Sequence, residues 1–247
     1  MVISALRGAV GFLTRVPVGR DKQAWEAFRA SPTSLPLAGY LIGFVAAVAL
    51  VVPAPNTTNA ALFVVWLYLL TGITHLDGLA DLGDALVVHG SADERRAVLK
   101  DTTLGVGGTA AIVISVVTLI LAVLPLATDP WTAVALIITA EVTAKFGMAT
   151  LVCTGTAIHE GLASAMTESA TPRTLVGPVV VAFPVVVLTW PHPTAAVAFA
   201  AGLTAVVVLR WWARQHLGGI NGDILGAGNE IVRLVSLHAG VMAWTQL

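Results

Sequence analysis

Apolar runs close to the length of a bilayer crossing recur along this chain, and they constrain its fold more than any other feature. A helix needs ~20 apolar residues to traverse the hydrocarbon core, and only helices or closed barrels satisfy their own backbone polar groups there. The pattern predicts seven spans, at 37–52, 60–74, 107–127, 131–154, 175–190, 194–212 and 231–247. Only 11% of residues are charged and 57% are hydrophobic, against roughly 25% charged in soluble domains. The expected fold class is therefore all-α. It is a polytopic α-helical membrane protein of about seven transmembrane helices plus an N-terminal interfacial helix. One integral membrane domain is expected over 1–247, with an arm at 1–34 and a helical bundle at 35–247.

Within the arm, Arg7 and Arg15 interrupt an apolar stretch, which argues against a signal peptide. Leu6, Val10 and Leu13 recur near helical spacing, and Trp25 and Phe28 read as interface anchors. The connections at 53–59, 128–130 and 191–193 hold a single charged residue, Asp129. Those at 75–106, 155–174 and 213–230 hold nearly all the rest, on the side of the arm. The positive-inside rule makes that side cytoplasmic. The expectation is thus a multi-pass protein of the cell membrane, with its N-terminus and active-site loops in the cytoplasm and its C-terminus outside. A net charge of −1 argues against a nucleic-acid partner, and the lone Cys153 excludes an intrachain disulfide and any cysteine-based metal cluster.

The chemistry collects on the charged side. In His75-Leu-Asp77-Gly-Leu-Ala-Asp81-Leu-Gly-Asp84 the three aspartates fall at i, i+4 and i+7. On a helix they share one face and repel one another. A divalent cation supplies the compensation, and Mg²⁺ prefers a few carboxylates plus waters or phosphate oxygens. A solvated acidic helix end is the plain alternative, but at the mouth of a span unpaired carboxylates are costly.

A second stretch, Lys100-Asp101-Thr-Thr-Leu-Gly105-Val-Gly107-Gly108, sets an acid and a glycine-rich turn directly before a span. Backbone amides at such a helix start can hold a phosphate, although glycines there are common. A third, Gly218-Gly219-Ile-Asn221-Gly222-Asp223 through Glu230, places Asp223 and Glu230 at i and i+7, with Asn221 and Asn229 as neutral oxygen donors. A flexible membrane-edge turn would need neither carboxylate. Glu141 and Lys145 are i, i+4 inside the fourth span. They read either as a self-contained ion pair or as a lysine reaching a phosphate.

These motifs carry a resemblance. The aspartate run 75–84, Lys100-Asp101 with Gly105 and Gly107, and Gly218-Gly-x-x-Gly-Asp223-x-Leu-Gly-Ala227 together resemble the cobalamin synthase family, the adenosylcobinamide-GDP ribazoletransferases. Phe12-Leu-Thr-Arg15-x-Pro17 resembles the arm of that family, so the resemblance covers essentially the whole chain. Asn221 stands where threonine is expected and Lys145 where arginine is more usual.

The resemblance implies a Mg²⁺-dependent membrane enzyme joining adenosylcobinamide-GDP to α-ribazole, or its 5′-phosphate, with release of GMP. Its partners would be those small molecules and the lipid bilayer, and a homo-oligomer is compatible with it. Asp77, Asp81, Asp84, Asp101 and Asp223 are the candidate catalytic carboxylates and, with Glu230, the candidate metal ligands. His75, Lys100, Lys145, Gly105, Gly107, Gly219, Asn221 and Gly222 are the candidate substrate contacts. A CDP-alcohol phosphotransferase would show arginine where Asp81 follows Ala80, and a prenyltransferase would repeat the aspartate-rich stretch. A cation-coupled transporter would carry its acids at mid-membrane on broken helices.

Overall fold

The computed structural model describes residues 2–19 and 21–246. It is 78% helical, with no strand among the described residues, which makes it an all-α polytopic membrane bundle. In chain order the helices are α1 (Val2–Leu13), α2 (Lys22–Arg29), α3 (Ser34–Ala47), α4 (Asn56–Thr71), α5 (Thr74–Leu86), α6 (Ala92–Val98), α7 (Val106–Val123), α8 (Pro130–Thr154), α9 (Leu162–Thr167), α10 (Val176–Ala182), α11 (Thr194–Leu217) and α12 (Gly222–Gln246).

The core axis is α8. Its most apolar stretch is 89% buried, against 28% for α7 with its 3₁₀ extension and 39% for α11. The latter two turn Val113, Ile114, Val117, Val207 and Val208 outward, the apolar exterior that a bilayer solvates. Small residues set how closely the helices approach. A Cβ on Gly39 would lie 2.8 Å from the Val142 Cα, and one on Gly43 2.7 Å from the Ile138 Cα. This Gly-x-x-x-Gly face seats α3 directly on the α8 backbone.

The number of spans differs from expectation. Three helices are long and apolar enough to cross a membrane, or up to five if each of two sharply bent helix pairs is one span. The expected crossing at 60–74 stops at Thr71, where Gly72 adopts φ 73°, and α5 leaves at 99° to α4. The expected crossing at 175–190 is a short α-helix between two 3₁₀ turns, because Pro172, Pro178 and Pro184 remove backbone donors along it. The last helix begins at Gly222 rather than 231, so Asp223, Glu230 and Arg233 lie within it and the connection from α11 shrinks to four residues. Asn221 makes that early start possible: its side-chain oxygen accepts the Ile224 N–H at 3.0 Å, capping the helix.

The arm is a hairpin of α1 on α2. Phe28 is fully buried, with ring centroids 5.4 Å from Phe12 and 5.7 Å from Trp25. Phe28 is thus the centre of a packed aromatic cluster, not the interface anchor expected from its place in a polar stretch. Trp131 and Trp190 are largely exposed around a cleft at the opposite end of the bundle, where indoles suit a membrane–water boundary.

Candidate active site

One end of the bundle gathers the last turns of α4, α8 and α11 and the first turns of α7 and α12. Helix α5 lies across this end, outside the spanning segments. Two glycines of its aspartate motif let it approach its neighbours. A Cβ on Gly78 would sit 2.8 Å from the Asp223 carbonyl oxygen, and one on Gly83 2.7 Å from the Gly107 carbonyl oxygen. The motif therefore alternates carboxylates facing outward with bare backbone facing α12 and α7. His75 is buried, its backbone against Gly226 of α12.

The structure brings Asp77, Asp81, Asp84 and Asp223 into one electrostatic group. Burial, then the charges of Asp223, Asp77 and Asp84, push the Asp81 carboxyl up to about 6. Burial also raises Asp223, opposed by its bond from the Asn221 amide (2.6 Å) and reinforced by Asp77. None of the four has a Lys, Arg or His nitrogen within ion-pairing distance among the described residues. This is an acidic cluster with no basic side chain paired to it among the described residues, its only opposing charge being the longer-range one of His159 on Asp223.

Asp84 plays a different part from its neighbours. Its two oxygens accept the backbone N–H groups of Gly105 and Gly108, each at 2.8 Å. It caps α7 from another helix, filling the amide cradle that the glycine-rich turn offers to a phosphate. Asp77, Asp81 and Asp223 keep free oxygens. No group of three or more His, Cys, Asp or Glu is gathered closely enough to cage a metal by itself among the described residues. Mg²⁺ does not need such a cage, since it takes one or two carboxylates and completes its shell with water and substrate phosphate. The hard, unpaired oxygens present fit that ion.

Other candidates lie apart from this group. Lys100 and Asp101 are exposed on the loop before α7. The Thr103 backbone N–H, 3.0 Å from Asp101, holds that carboxyl below its usual range. Glu230 is buried two turns deeper on α12, where it accepts from Arg233 at 2.6 Å and from the Tyr68 hydroxyl at 3.1 Å. Arg233 also pairs with Glu141, which pairs with Lys145. All four charged side chains are at most 2% exposed and their formal charges sum to zero. Lys145 and Glu230 thus belong to a buried network joining α8, α12 and α4, beneath the aspartates rather than among them. Gly219 packs on the Thr156 carbonyl, while a Cβ on Gly222 would meet nothing within 4 Å, so Gly222 borders open space.

Two features at this end escaped the sequence reading. Arg15 rests on Gly72 at the α4–α5 bend, its Nε 3.2 Å from where a Cβ would be. Arg210 and Arg214 line a cleft beside Ile220. In the sequence Arg15 counted as a break in the apolar arm and as part of its motif, and Arg210 and Arg214 only among the basic residues of the charged side. The signal that singles out the last two is an i, i+4 pair of like charges with no acidic residue from 210 to 220.

The sequence model of the cobalamin-5-phosphate synthase family matches residues 5–241. A protein from Halorubrum lacusprofundi named adenosylcobinamide-GDP ribazoletransferase is 49% identical, the match covering 100% of both chains. A protein of the same name from Haloquadratum walsbyi is 47% identical over 99% of both chains. Another from Archaeoglobus fulgidus is 32% identical over 98% of this chain and 99% of its own. No solved structure matches the chain.

Proposed function

Because the chain belongs to the cobalamin-5-phosphate synthase family, we propose that its aspartate-rich end carries the ribazoletransfer that completes cobalamin biosynthesis. The enzyme transfers the phosphocobinamide portion of adenosylcobinamide-GDP to a ribose hydroxyl of α-ribazole or its 5′-phosphate. An O–P bond forms at the phosphorus attached to the cobinamide side chain, the P–O–P bridge breaks, and GMP leaves with the bridging oxygen. The hydroxyl proton passes to a carboxylate or to water.

The observation that carries this reading is the group Asp77, Asp81 and Asp223, which is acidic, has no basic side chain paired to it among the described residues and lies beside open space at Gly222. Bound Mg²⁺ would neutralise phosphate oxygens and orient the bridge for in-line displacement. One or two of Asp77, Asp81 and Asp223 would hold it, with water and substrate phosphate completing its shell. Asp84 serves indirectly by fixing α7 against α5. Asn221 steadies Asp223 through its amide, which gives asparagine a reason to stand where threonine is expected. A carboxylate of this group left off the metal is suited to accept the hydroxyl proton.

The distribution of basic residues supports a cytoplasmic orientation for this end in the cell membrane. Helix α12 starts at that end and extends away from it, which supports the expected position of the C-terminus at the far face. The test is GMP release and cobalamin formation by the detergent-solubilised chain with adenosylcobinamide-GDP and α-ribazole. Turnover is expected with Mg²⁺, none in excess EDTA, and a loss of at least about a hundred-fold in Asp223→Asn. Turnover unaffected by EDTA defeats the metal assignment, and absent turnover in folded protein defeats the reaction.

A further inference from the structure

We propose that the cleft between the ends of α8 and α11 is the subsite for a phosphomonoester on the acceptor nucleoside, held by Arg210 and Arg214. The proposal rests on the transferase reading above and adds the residues that would distinguish a phosphorylated from an unphosphorylated acceptor.

The cleft has a volume of about 300 Å³ and no acidic lining residue. One terminal nitrogen of Arg210 donates to the Thr154 carbonyl at 2.8 Å, fixing the guanidinium at the end of α8. Its Nε is buried without a partner. Arg214, one turn further along α11, is exposed, and neither arginine forms an ion pair among the described residues. Like charges at i, i+4 repel, so this pair is stabilised by an anion that engages both. A phosphomonoester carries close to two negative charges at neutral pH and matches the guanidinium fork in shape.

The wall opposite is rigid backbone. Ile220 N–H donates to the Thr156 carbonyl at 2.8 Å, and Ile158 N–H to the Ile220 carbonyl at 3.0 Å. Gly219 lies so close to Thr156 that a Cβ would stand 2.2 Å from its carbonyl oxygen.

Position ties the cleft to the reaction. Ile220 lines it, Asn221 caps α12, and Asp223 belongs to the acidic group. Two phosphate environments of opposite sign thus lie within a few residues. The phosphate that reacts needs oxygen ligands and a cation. One that is carried through unchanged needs no metal, only charge and hydrogen-bond donors, which the two arginines supply. That assigns the arginine cleft to the acceptor.

The experiment compares α-ribazole 5′-phosphate with α-ribazole as acceptors for wild type, Arg214→Gln and Arg210→Lys in phospholipid-free detergent. Arg214→Gln, whose side chain is solvent-exposed, is expected to raise KM for the phosphorylated acceptor roughly ten- to hundred-fold. It should leave KM for α-ribazole within about two-fold. Arg210→Lys keeps the charge but loses the fork, and should impair the same acceptor in the same direction. Equal effects on both acceptors, or none on either, overturn the proposal. Weakened inhibition by GMP without a change in acceptor preference overturns it too, assigning the cleft to the leaving nucleotide. In nanodiscs of anionic phospholipid, unaltered acceptor preference supports it, whereas preference lost to lipid phosphate overturns it. If wild type lacks turnover, the transferase reading fails separately. Calorimetric binding of the two acceptors to the same variants then decides the cleft alone.

Discussion

Replacing Asp81 by asparagine should make this protein more stable at neutral pH while abolishing its chemistry. Asp81 is pushed up from 3.8 to about 6 by burial and by Asp223, Asp77 and Asp84. Its folded-state proton affinity therefore exceeds that of the unfolded chain. Between pH 3.8 and about 6 the folded state binds more protons, so stability falls as pH rises through that window and stays reduced above it. The whole displacement corresponds to about 3 kcal/mol. Because Asp81 is only half-buried, water screens much of this, and about 1 kcal/mol is the working figure. For a chain of this length that is an apparent Tm about 2–4 °C higher for Asp81→Asn at pH 7 in EDTA. The advantage should shrink through that window and vanish only at about pH 3, below 3.8, where Asp81 is protonated in both the folded and the unfolded chain. Mg²⁺ should stabilise wild type and have little effect on the variant. The assay is thermal unfolding in detergent at both pH values, alongside GMP release. A variant less stable than wild type at pH 7, or equally advantaged at both pH values, refutes the claim that this group is uncompensated like charge.

Three other substitutions probe the supports. Asp84→Ala strands the Gly105 and Gly108 amides at the start of α7 and should cost about 1–3 kcal/mol, seen as a lower Tm in both EDTA and Mg²⁺; an unchanged Tm would show that water replaces the cap. Arg233→Met leaves Glu141 and Glu230 sharing one buried cation and should cost about 3–5 kcal/mol, more than Lys145→Met, which leaves Arg233 between both carboxylates; the reverse order in denaturation would contradict the network as described. Gly78→Ala forces α5 away from the Asp223 backbone and should lower kcat about a hundred-fold through misplaced carboxylates, whereas near-normal kcat would show that α5 can shift without consequence.

Much of this arrangement is legible in the amino-acid order because it is local. The spacing of Asp77, Asp81 and Asp84 is a helical period, and α5 is a helix. What separates Asp84 from the other two is its bond to a turn 21 residues later, and nothing in a periodicity announces that partner. Asp223 and Glu230 also share a face at i, i+7, but that spacing rises ~10.5 Å along the axis, enough to carry Glu230 from the mouth into the interior. The chain did hold a clue. Glu230 with Arg233 at i, i+3 and Glu141 with Lys145 at i, i+4 are two short-range pairs inside apolar segments, each of which makes more sense facing the other. The seven expected crossings overcounted because hydropathy averages do not register where prolines break a segment or where Gly72 turns the chain.

The buried tetrad has a consequence for how this bundle finds its alignment. Apolar helices lined with alanine, valine and leucine can slide past one another with little change in what they touch, since every turn looks much like the next. Displace α12 against α8 by one turn, ~5.4 Å, and Glu141 would face Asn229 or Leu237 in place of Arg233. The one ion pair that crosses between the helices would then be lost, leaving each helix with only its own pair, Glu141–Lys145 or Glu230–Arg233. The tetrad thus acts as a ratchet tooth that favours one setting of a helix whose outer end holds Asp223. An error in the dry centre of the molecule is thereby reported at its wet end as a carboxylate out of place.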